Sequence, residues 1–336
     1  MSDKKSDIRK KIEKQLLKSK NLFGKKNKIF SQDDIFYKNC GLRVDFLDLV
    51  TGSQGKLKKV TRYMLNGKDC EPTIEKIKKL GLYHLELGLL LRRSADNGLF
   101  QSTKDNKISG EYQRIIYVSP DKKRIESIKK LEEKIFSGEK LSPKDIRDIT
   151  ERIGKLFEYP KCCIRFFAGY ISFTTPELNF RLLRESKAFL WQLNNLDGKI
   201  NLFPHIPCRY DCQKSADFAE KSFELVREQK GEDVAKRMKK YLRSPFLYFK
   251  SGRFIRLEGY LRKKVFHCER TYCFEPENII RKYSKEKKVF LKILRNIKRS
   301  GKIIERRKNI LVVGKKNETL LELDKFKDWC AYARFI

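Results

Sequence analysis

Apolar residues recur at helical spacing through the middle of the chain. Isoleucine and leucine repeat every three or four positions over residues 125–135 and again over residues 146–156. This period predicts two amphipathic helices. Ser142 and Pro143 precede the second one, in the order typical of an N-cap followed by the first helical position. The run HLELGLLLRR at 84–93 is apolar enough to predict a further helix of the core.

Alternating apolar and polar positions predict strands on either side of this helical centre. YQRIIYVS at 112–119 predicts one strand, and FLYFKSGRFIRLEGYLRKKVF at 246–266 predicts strands around a Ser-Gly turn at 251–252. A long helix over about 277–299 is then followed by a predicted closing hairpin over 302–323, with its turn at 314–317. We therefore expect an α+β fold with a largely helical centre, small antiparallel β elements and a basic β/α C-terminal part.

Composition and charge divide the chain into three expected regions. Residues 1–30 hold 11 Lys or Arg against three Asp or Glu and predict a basic N-terminal arm, residues 31–243 a mainly helical core domain, and residues 244–336 a basic α/β C-terminal region. No apolar run approaches the ~18–20 residues needed to cross a bilayer. The first residues also lack the apolar stretch of a secretory signal. We expect a cytoplasmic protein without a transmembrane segment.

The net charge is strongly positive and unevenly distributed. The chain has 78 Lys and Arg against 43 Asp and Glu, which gives a formal charge of +35, and residues 236–310 alone hold +19. Such an excess repels itself and indicates a polyanionic partner. Nucleic acid is the favoured partner, because each neutralised phosphate releases counterions. An anionic membrane surface and the Lys- and Glu-rich composition of hyperthermophiles are the alternatives.

A basic and partly aromatic surface is expected in the C-terminal region. Side chains on one face of a strand can hold phosphates while an aromatic ring stacks on a base. The mixed basic and aromatic composition favours RNA over DNA as the partner. The residues predicted to contact nucleic acid are Arg253, Arg256, Tyr260, Arg262, Lys263, Lys264, Lys298, Arg299, Arg306 and Arg307. The alternative is that these strands simply present the polar face that any exposed antiparallel sheet has.

Nine cysteines are present, and four of them fall in two short segments. A cytosolic compartment keeps thiols reduced, so metal ligation or thiol chemistry is favoured over a disulfide scaffold. The first segment is YPKCC at 159–163, where Pro160 is expected at the first position of a helix. The second is HIPCRYDC at 205–212, where Asp211 is expected to cap the next helix. Helix N-termini lower thiol pKa values and favour the thiolate.

Two kinds of metal centre fit these segments. Zinc takes four N or S ligands in a tetrahedron, which His205, Cys208, Cys212 and one of Cys162 and Cys163 would supply. Only one of the adjacent pair is expected to bind, because neighbours on a helix point about 100° apart. An iron–sulfur cluster would instead use both twin cysteines with Cys208 and Cys212. Zinc is favoured, and ordinary buried thiols are the third possibility.

A further Cys/His group, HCERTYC at 267–273, is predicted to hold strand and turn residues. Its C-x4-C spacing is wide for a metal-binding knuckle.

The two cysteine segments resemble a known family. YPKCC followed by FF, and HIPC followed by DC, are similar to an uncharacterised and mostly archaeal family known as domain of unknown function 483. KNCGLR at 38–43 and the strand YQRIIYVSP also resemble that family, and the likeness covers roughly residues 35–240. Because the family has no assigned activity, the resemblance implies only that these positions form a shared site.

Three functions follow as hypotheses. The first is a metal-binding protein that acts on RNA, with RNA modification or processing as its expected role, in which Asp211 or Glu158 would serve as base if a zinc ion were catalytic. The second is a non-catalytic nucleic-acid-binding module with structural zinc. The third is an iron–sulfur or vicinal-thiol redox protein. No Walker or dinucleotide-binding glycine loop, G-x-S-x-G elbow or H-E-x-x-H pair is present. The catalytic residues and enzymatic activity stay undetermined.

Overall fold

A computed structural model gives the fold. It describes residues 57–336 apart from 94–99, 104–111, 137–140, 172, 197–199, 263–264, 276–283, 301, 307–308, 314–318 and 329. The predicted N-terminal arm and the KNCGLR segment lie outside the described residues. Within them the fold is α+β, with eight α-helices and two antiparallel sheets, as the sequence predicts. No helix of the described part has the length and apolar character needed to cross a membrane.

The helices are numbered in chain order. They are α1 (Gly67–Lys79), α2 (Lys122–Phe136), α3 (Pro143–Leu156), α4 (Lys161–Gly169), α5 (Thr175–Glu185), α6 (Gln213–Lys230), α7 (Glu232–Leu242) and α8 (Ser284–Ser300). The start of α3 confirms its prediction: the hydroxyl of Ser142 accepts from the backbone N–H of Asp145, and the Asp145 carboxylate accepts from the backbone N–H of Ser142. This reciprocal pair is a capping box with Pro143 at the first helical position.

The first sheet has four strands in the order β1-β4-β2-β3. The strands are β1 (Thr61–Asn66), β2 (Tyr83–Arg93), β3 (Phe100–Thr103) and β4 (Tyr112–Ser119). Alternate residues of β4 enter two separate cores: Ile115 packs with α2, and Ile116 packs with α1. The predicted helix at 84–93 is therefore wrong. That apolar run forms β2, because pairing with β4 satisfies its backbone while the sheet buries Leu87.

The second sheet has seven strands in the order β10-β9-β8-β7-β6-β5-β11. They are β5 (Phe246–Phe249), β6 (Phe254–Arg262), β7 (Val265–Phe274), β8 (Lys302–Arg306), β9 (Asn309–Val313), β10 (Thr319–Glu322) and β11 (Cys330–Ala333). The predicted strands around the turn at 251–252 are β5 and β6. The predicted closing hairpin is confirmed by β9 and β10, which pair across residues 314–318. Its expected first arm is divided into two paired strands, β8 and β9. Strand β11, which pairs with β5, was not predicted.

Strand β5 joins the sheet to two cores. Phe246 and Tyr248 pack into the same core as α5, α6 and α7, while Leu247 and Phe249 pack against α8 on the other face. Their alternation follows from the two-residue period of a strand. Ile336 also contacts the core that contains α5, α6 and α7. Its carbonyl accepts a hydrogen bond from the backbone N–H of Trp191, a buried residue of that core. This core includes residues on both sides of the domain boundary expected at 243/244.

Helices α3 and α4 approach closely at a glycine. A Cβ atom added at Gly154 would lie 2.8 Å from Cγ1 of Ile164, a buried residue of α4. Real Cβ atoms rarely come so close to a neighbour, so α4 can pack here only against a residue without a side chain. Since α4 carries the twin cysteines, this contact helps to fix their position.

Replacing Gly154 with Ala is expected to destabilise the protein by about 1–3 kcal/mol more than Gly169→Ala, because overpacking displaces Ile164. Gly169 is the matched control, since a Cβ atom there meets nothing within 4 Å. Urea unfolding of both variants measures the difference. Equal free energies of unfolding would show that the α3–α4 contact is not tight.

Candidate metal centre

Four cysteine sulfurs converge where α4 meets the start of α6. The Sγ atoms of Cys162, Cys163, Cys208 and Cys212 all lie within 4.8 Å of one another. The Sγ–Sγ distance is 3.9 Å for Cys162–Cys163 and 3.8 Å from Cys212 to either of them. These four residues, 50 positions apart at the extremes, form the candidate metal centre. Such a group can hold a metal ion.

Local structure explains how each cysteine reaches the centre. Cys162 and Cys163 lie in the first turn of α4, which begins after Pro160, the N-cap. Cys212 is the N-cap of α6, in place of the expected Asp211, whose carboxylate instead accepts from the backbone N–H of Lys187. Cys208 comes from the irregular segment before α6. Two helix N-termini therefore contribute three of the four sulfurs, a setting that favours thiolates.

Both members of the Cys162–Cys163 pair belong to the centre. Adjacent helical residues point about 100° apart, and on that ground only one was expected to bind zinc. Their Sγ atoms nevertheless lie 3.9 Å apart, because the side chains turn toward each other at the helix terminus. Cys163 is fully buried and Cys162 is exposed, so the centre opens to solvent on one side.

His205 lies outside the group of four sulfurs, although the zinc hypothesis included it. Its Nε2 atom is 2.8 Å from the Ser215 hydroxyl, which is itself 3.2 Å from the Cys163 sulfur. The His205 ring packs on Tyr159, with centroids 5.0 Å apart. Burial lowers the pKa of His205 to about 4, so the imidazole is neutral at pH 7. His205 thus reaches the centre only through Ser215.

The thiols influence one another's protonation. Hydrogen bonds from Cys163 and Cys208 hold the pKa of Cys212 well below its ordinary value, while contacts with Cys208 and Cys212 raise the pKa of Cys163. The backbone N–H of Cys208 also donates to the Cys163 sulfur over 3.3 Å. Backbone donors of this kind stabilise sulfur that carries negative charge. A metal cation that displaces these protons would hold all four sulfurs as thiolates. Without the cation, the low pKa favours the thiolate at Cys212.

Ser215 and Tyr159 were not predicted as parts of this site. Ser215 lies one helical turn after Cys212, a spacing from which its position could have been inferred. Tyr159 directly precedes Pro160, and its hydroxyl donates to the Pro204 carbonyl over 3.2 Å. It therefore connects α4 to the loop that carries His205.

The second Cys/His group is separate from the centre, as expected. His267, Cys268 and Cys273 lie on β7, and the Cys268 thiol donates to the Arg270 carbonyl over 3.3 Å. Burial raises the pKa of Cys268 and of Cys273 to about 12, so both are neutral thiols.

Two of the arginines expected at a nucleic-acid surface are buried. Arg253 is 2% exposed and forms ion pairs with Glu275 and Glu286, each over 3.2 Å. Arg256 is 4% exposed, and its guanidinium packs against the ring of Tyr241 at 4.0 Å and of Tyr272 at 4.2 Å. Neither can reach a phosphate, so this expectation is wrong for both. Arg256 lies in the first half of β6, which packs on both faces, and Arg253 directly precedes that strand.

The remaining residues of the expected surface divide into two groups. Tyr260 and Arg262 are exposed on β6, and Lys298 and Arg299 are exposed in the last turn of α8. Lys263, Lys264 and Arg307 lie outside the described residues, and Arg306 lies in β8 with no description of its side chain.

Comparison of the chain with protein-family models, with curated proteins and with solved structures found no match. The resemblance to domain of unknown function 483 stays a prediction.

A buried lysine packs on Tyr159, the residue before Pro160 at the start of α4. Lys58 is 3% exposed, and its Nζ atom lies 5.3 Å from the ring centroid of Phe157 and 5.7 Å from that of Tyr159. Burial, and secondarily the charge of Arg62, lower the pKa of Lys58 from 10.5 to about 7. A cation held over two aromatic rings offsets part of its lost hydration.

Lys58→Met is expected to raise the free energy of unfolding at pH 7. Between about pH 7 and 10.5 the unfolded chain binds a proton at Lys58 that the folded protein has largely lost, so this group makes stability rise with pH across that interval. The variant should lack this rise. Urea titrations at several pH values measure it. Lys59→Met, which alters an exposed ion pair with Glu158, is the control and should change stability by less than about 1 kcal/mol.

Proposed function

We propose that the four cysteines bind a single tetrahedral metal ion and that this ion is zinc. The observation that carries this proposal is the spacing of the sulfurs. Zinc–sulfur bonds of about 2.3 Å in a regular tetrahedron place neighbouring sulfurs about 3.8 Å apart. The observed distances within the centre are 3.8–3.9 Å for three sulfur pairs.

The same spacing favours one ion over an iron–sulfur cluster. In a cluster the four thiolates are divided among two or four iron atoms, so sulfurs bound to different irons lie further apart than the edge of one tetrahedron. Here the four sulfurs all lie within 4.8 Å of one another. A redox centre would be the alternative, and its colour distinguishes it from zinc.

A structural role follows from the number of ligands. Four thiolates complete the tetrahedron and leave no position for water or substrate, whereas a catalytic zinc keeps one position open. The ion would join α4, the segment before α6 and α6 itself. Apart from one turn of 3-10 helix at 191–193, the described residues between α5 and α6 form no helix or strand. A metal link offsets the entropy lost in ordering that segment.

Nucleic acid is the partner that we propose for the folded protein. The formal charge of +35 and the +19 carried by residues 236–310 support a polyanion. Exposed basic residues on β6 and at the end of α8 supply cationic groups for phosphates. RNA is preferred over DNA on composition. Because thiolates fill all four ligand positions of the proposed ion, we prefer a binding function to RNA modification at the metal.

Replacing Cys163 or Cys212 with Ser is expected to remove the metal ion, because each loses one of four thiolate bonds. Elemental analysis of the purified wild-type protein should give one zinc per chain, and thermal unfolding should occur at a lower temperature in either variant. Cys330→Ser is the matched control, since Cys330 is buried in β11, away from the centre. A variant of Cys212 that keeps full stoichiometry would contradict the site.

A visible spectrum of protein purified without oxygen tests the identity of the metal. Zinc thiolate protein should be colourless, whereas broad visible absorption with iron in the elemental analysis would replace zinc by an iron–sulfur cluster.

Replacing Arg262 with Gln is expected to weaken binding of nucleic acid and to reduce the slope of log K against log salt by roughly one unit, because one phosphate contact is lost. Fluorescence anisotropy at several salt concentrations measures both quantities. Lys122→Gln is the control, since it removes the same charge from an exposed position on α2. Equal losses in the two variants would remove Arg262 from the interface and leave only a general charge effect.

A further inference from the structure

Strand β6 extends past the helical core. Its residues 254–257 are buried, whereas residues 259–262 are exposed. In the first half, one face of the sheet packs on the helices around α6 and the other on α8. Further along, Phe266 of β7 and Ile303 of β8 still pack with α8, whereas the described residues leave the opposite face, which carries Tyr260, uncovered. The sheet thus presents a supported surface to solvent.

A row of three side chains crosses this uncovered face. Tyr260 of β6 lies opposite His267 of β7, and His267 lies opposite Lys302 of β8. Because paired residues of adjacent strands point to the same side, the three side chains share one face. Arg262 lies two residues after Tyr260 and therefore faces the same way. We call the three cross-strand residues Tyr260, His267 and Lys302, together with Arg262, the aromatic row.

The two rings of the aromatic row are held parallel. Their centroids are 4.9 Å apart with an angle of 8° between the ring planes, and Tyr260 is 52% exposed. Lys302 is also exposed. An aromatic ring fixed in this way, with a cation close by, needs little ordering when a second flat group stacks on it.

A bulge next to Tyr260 sets its position. The register between β6 and β7 shifts between Glu258 and Gly259, and a Cβ atom at Gly259 would lie 1.8 Å from the His267 carbonyl oxygen. Only glycine permits this approach of the two strands. The extra residue, Glu269, lies in β7, so Tyr260 keeps the alternation of β6 while His267 is brought opposite it. An unbroken register would pair Tyr260 with Cys268 and turn the His267 ring to the opposite face.

From this arrangement we infer that the aromatic row binds single-stranded nucleic acid by stacking a base on Tyr260. Lys302 and Arg262 would contact the flanking phosphates. The inference rests on the proposed nucleic-acid function and specifies its substrate class. A duplex keeps its base faces stacked inside the helix, whereas an unpaired strand exposes them to aromatic side chains. A purely electrostatic surface would bind duplex as well, since it contacts phosphates alone.

The test compares Tyr260→Ala with Tyr260→Phe in the full chain. Affinities for an unpaired RNA oligonucleotide and for a duplex of equal length are measured by fluorescence anisotropy at one salt concentration. Tyr260→Ala should weaken binding of the unpaired strand roughly five- to 150-fold, which corresponds to about 1–3 kcal/mol, whereas Tyr260→Phe should retain it. The salt slope should not change in either variant, because no phosphate contact is lost.

A fluorescent base analogue in the oligonucleotide adds a direct readout of stacking. Its emission should be quenched by wild-type protein and by Tyr260→Phe, and not by Tyr260→Ala. Thermal unfolding checks that both variants are folded, as expected for a side chain that is 52% exposed. Unaltered affinity of Tyr260→Ala, or tighter binding of duplex than of unpaired strand, would overturn the aromatic row as a stacking site while leaving nucleic-acid binding intact. Absence of binding to every oligonucleotide would instead overturn the proposed function.

Discussion

The convergence of four thiols on one point is the constraint on which the centre of the molecule depends. Cys163 and Cys212 lie at the border of the main hydrophobic core, where repulsion between two thiolates would be strong. A proton shared among the sulfurs can bridge only two of them at a time. A divalent cation would interact with all four at once, so the starts of α4 and α6 are placed where they could hold a metal ion.

The rest of the central region follows from this arrangement. Gly154 allows α3 to approach α4 closely, and Tyr159 links the start of α4 to the loop of His205. The Ser215 hydroxyl lies between His205 and the Cys163 sulfur, so it can orient a proton toward or away from that thiol. Residues around the sulfurs thereby limit how the four ligands can move, as the outer partners of metal ligands generally do.

The C-terminal sheet shows how one strand can serve two purposes. The first half of β6 lies between two cores and buries Arg256 against aromatic rings, while Arg253, directly before the strand, is buried with its acidic partners. The second half exposes Tyr260 and Arg262. Arg256, Tyr260 and Arg262 belong to the same alternating pattern. Whether an arginine neutralises a buried carboxylate or faces a polyanion therefore depends on how far the neighbouring helices extend over the sheet.

The sequence alone determined the features that local chemistry controls. The capping box at Ser142, the amphipathic period of α2 and α3, and the alternation in β4 to β6 each depend on a few adjacent residues. The thiol segments were recognisable because cysteine pairs at helix starts are chemically distinctive. Tertiary structure decided what depends on distant partners: β2 became a strand by pairing with β4, both twin cysteines and not His205 joined Cys208 and Cys212, and two arginines were buried. In each case the energy comes from contacts between residues far apart in the chain, which a local pattern does not contain.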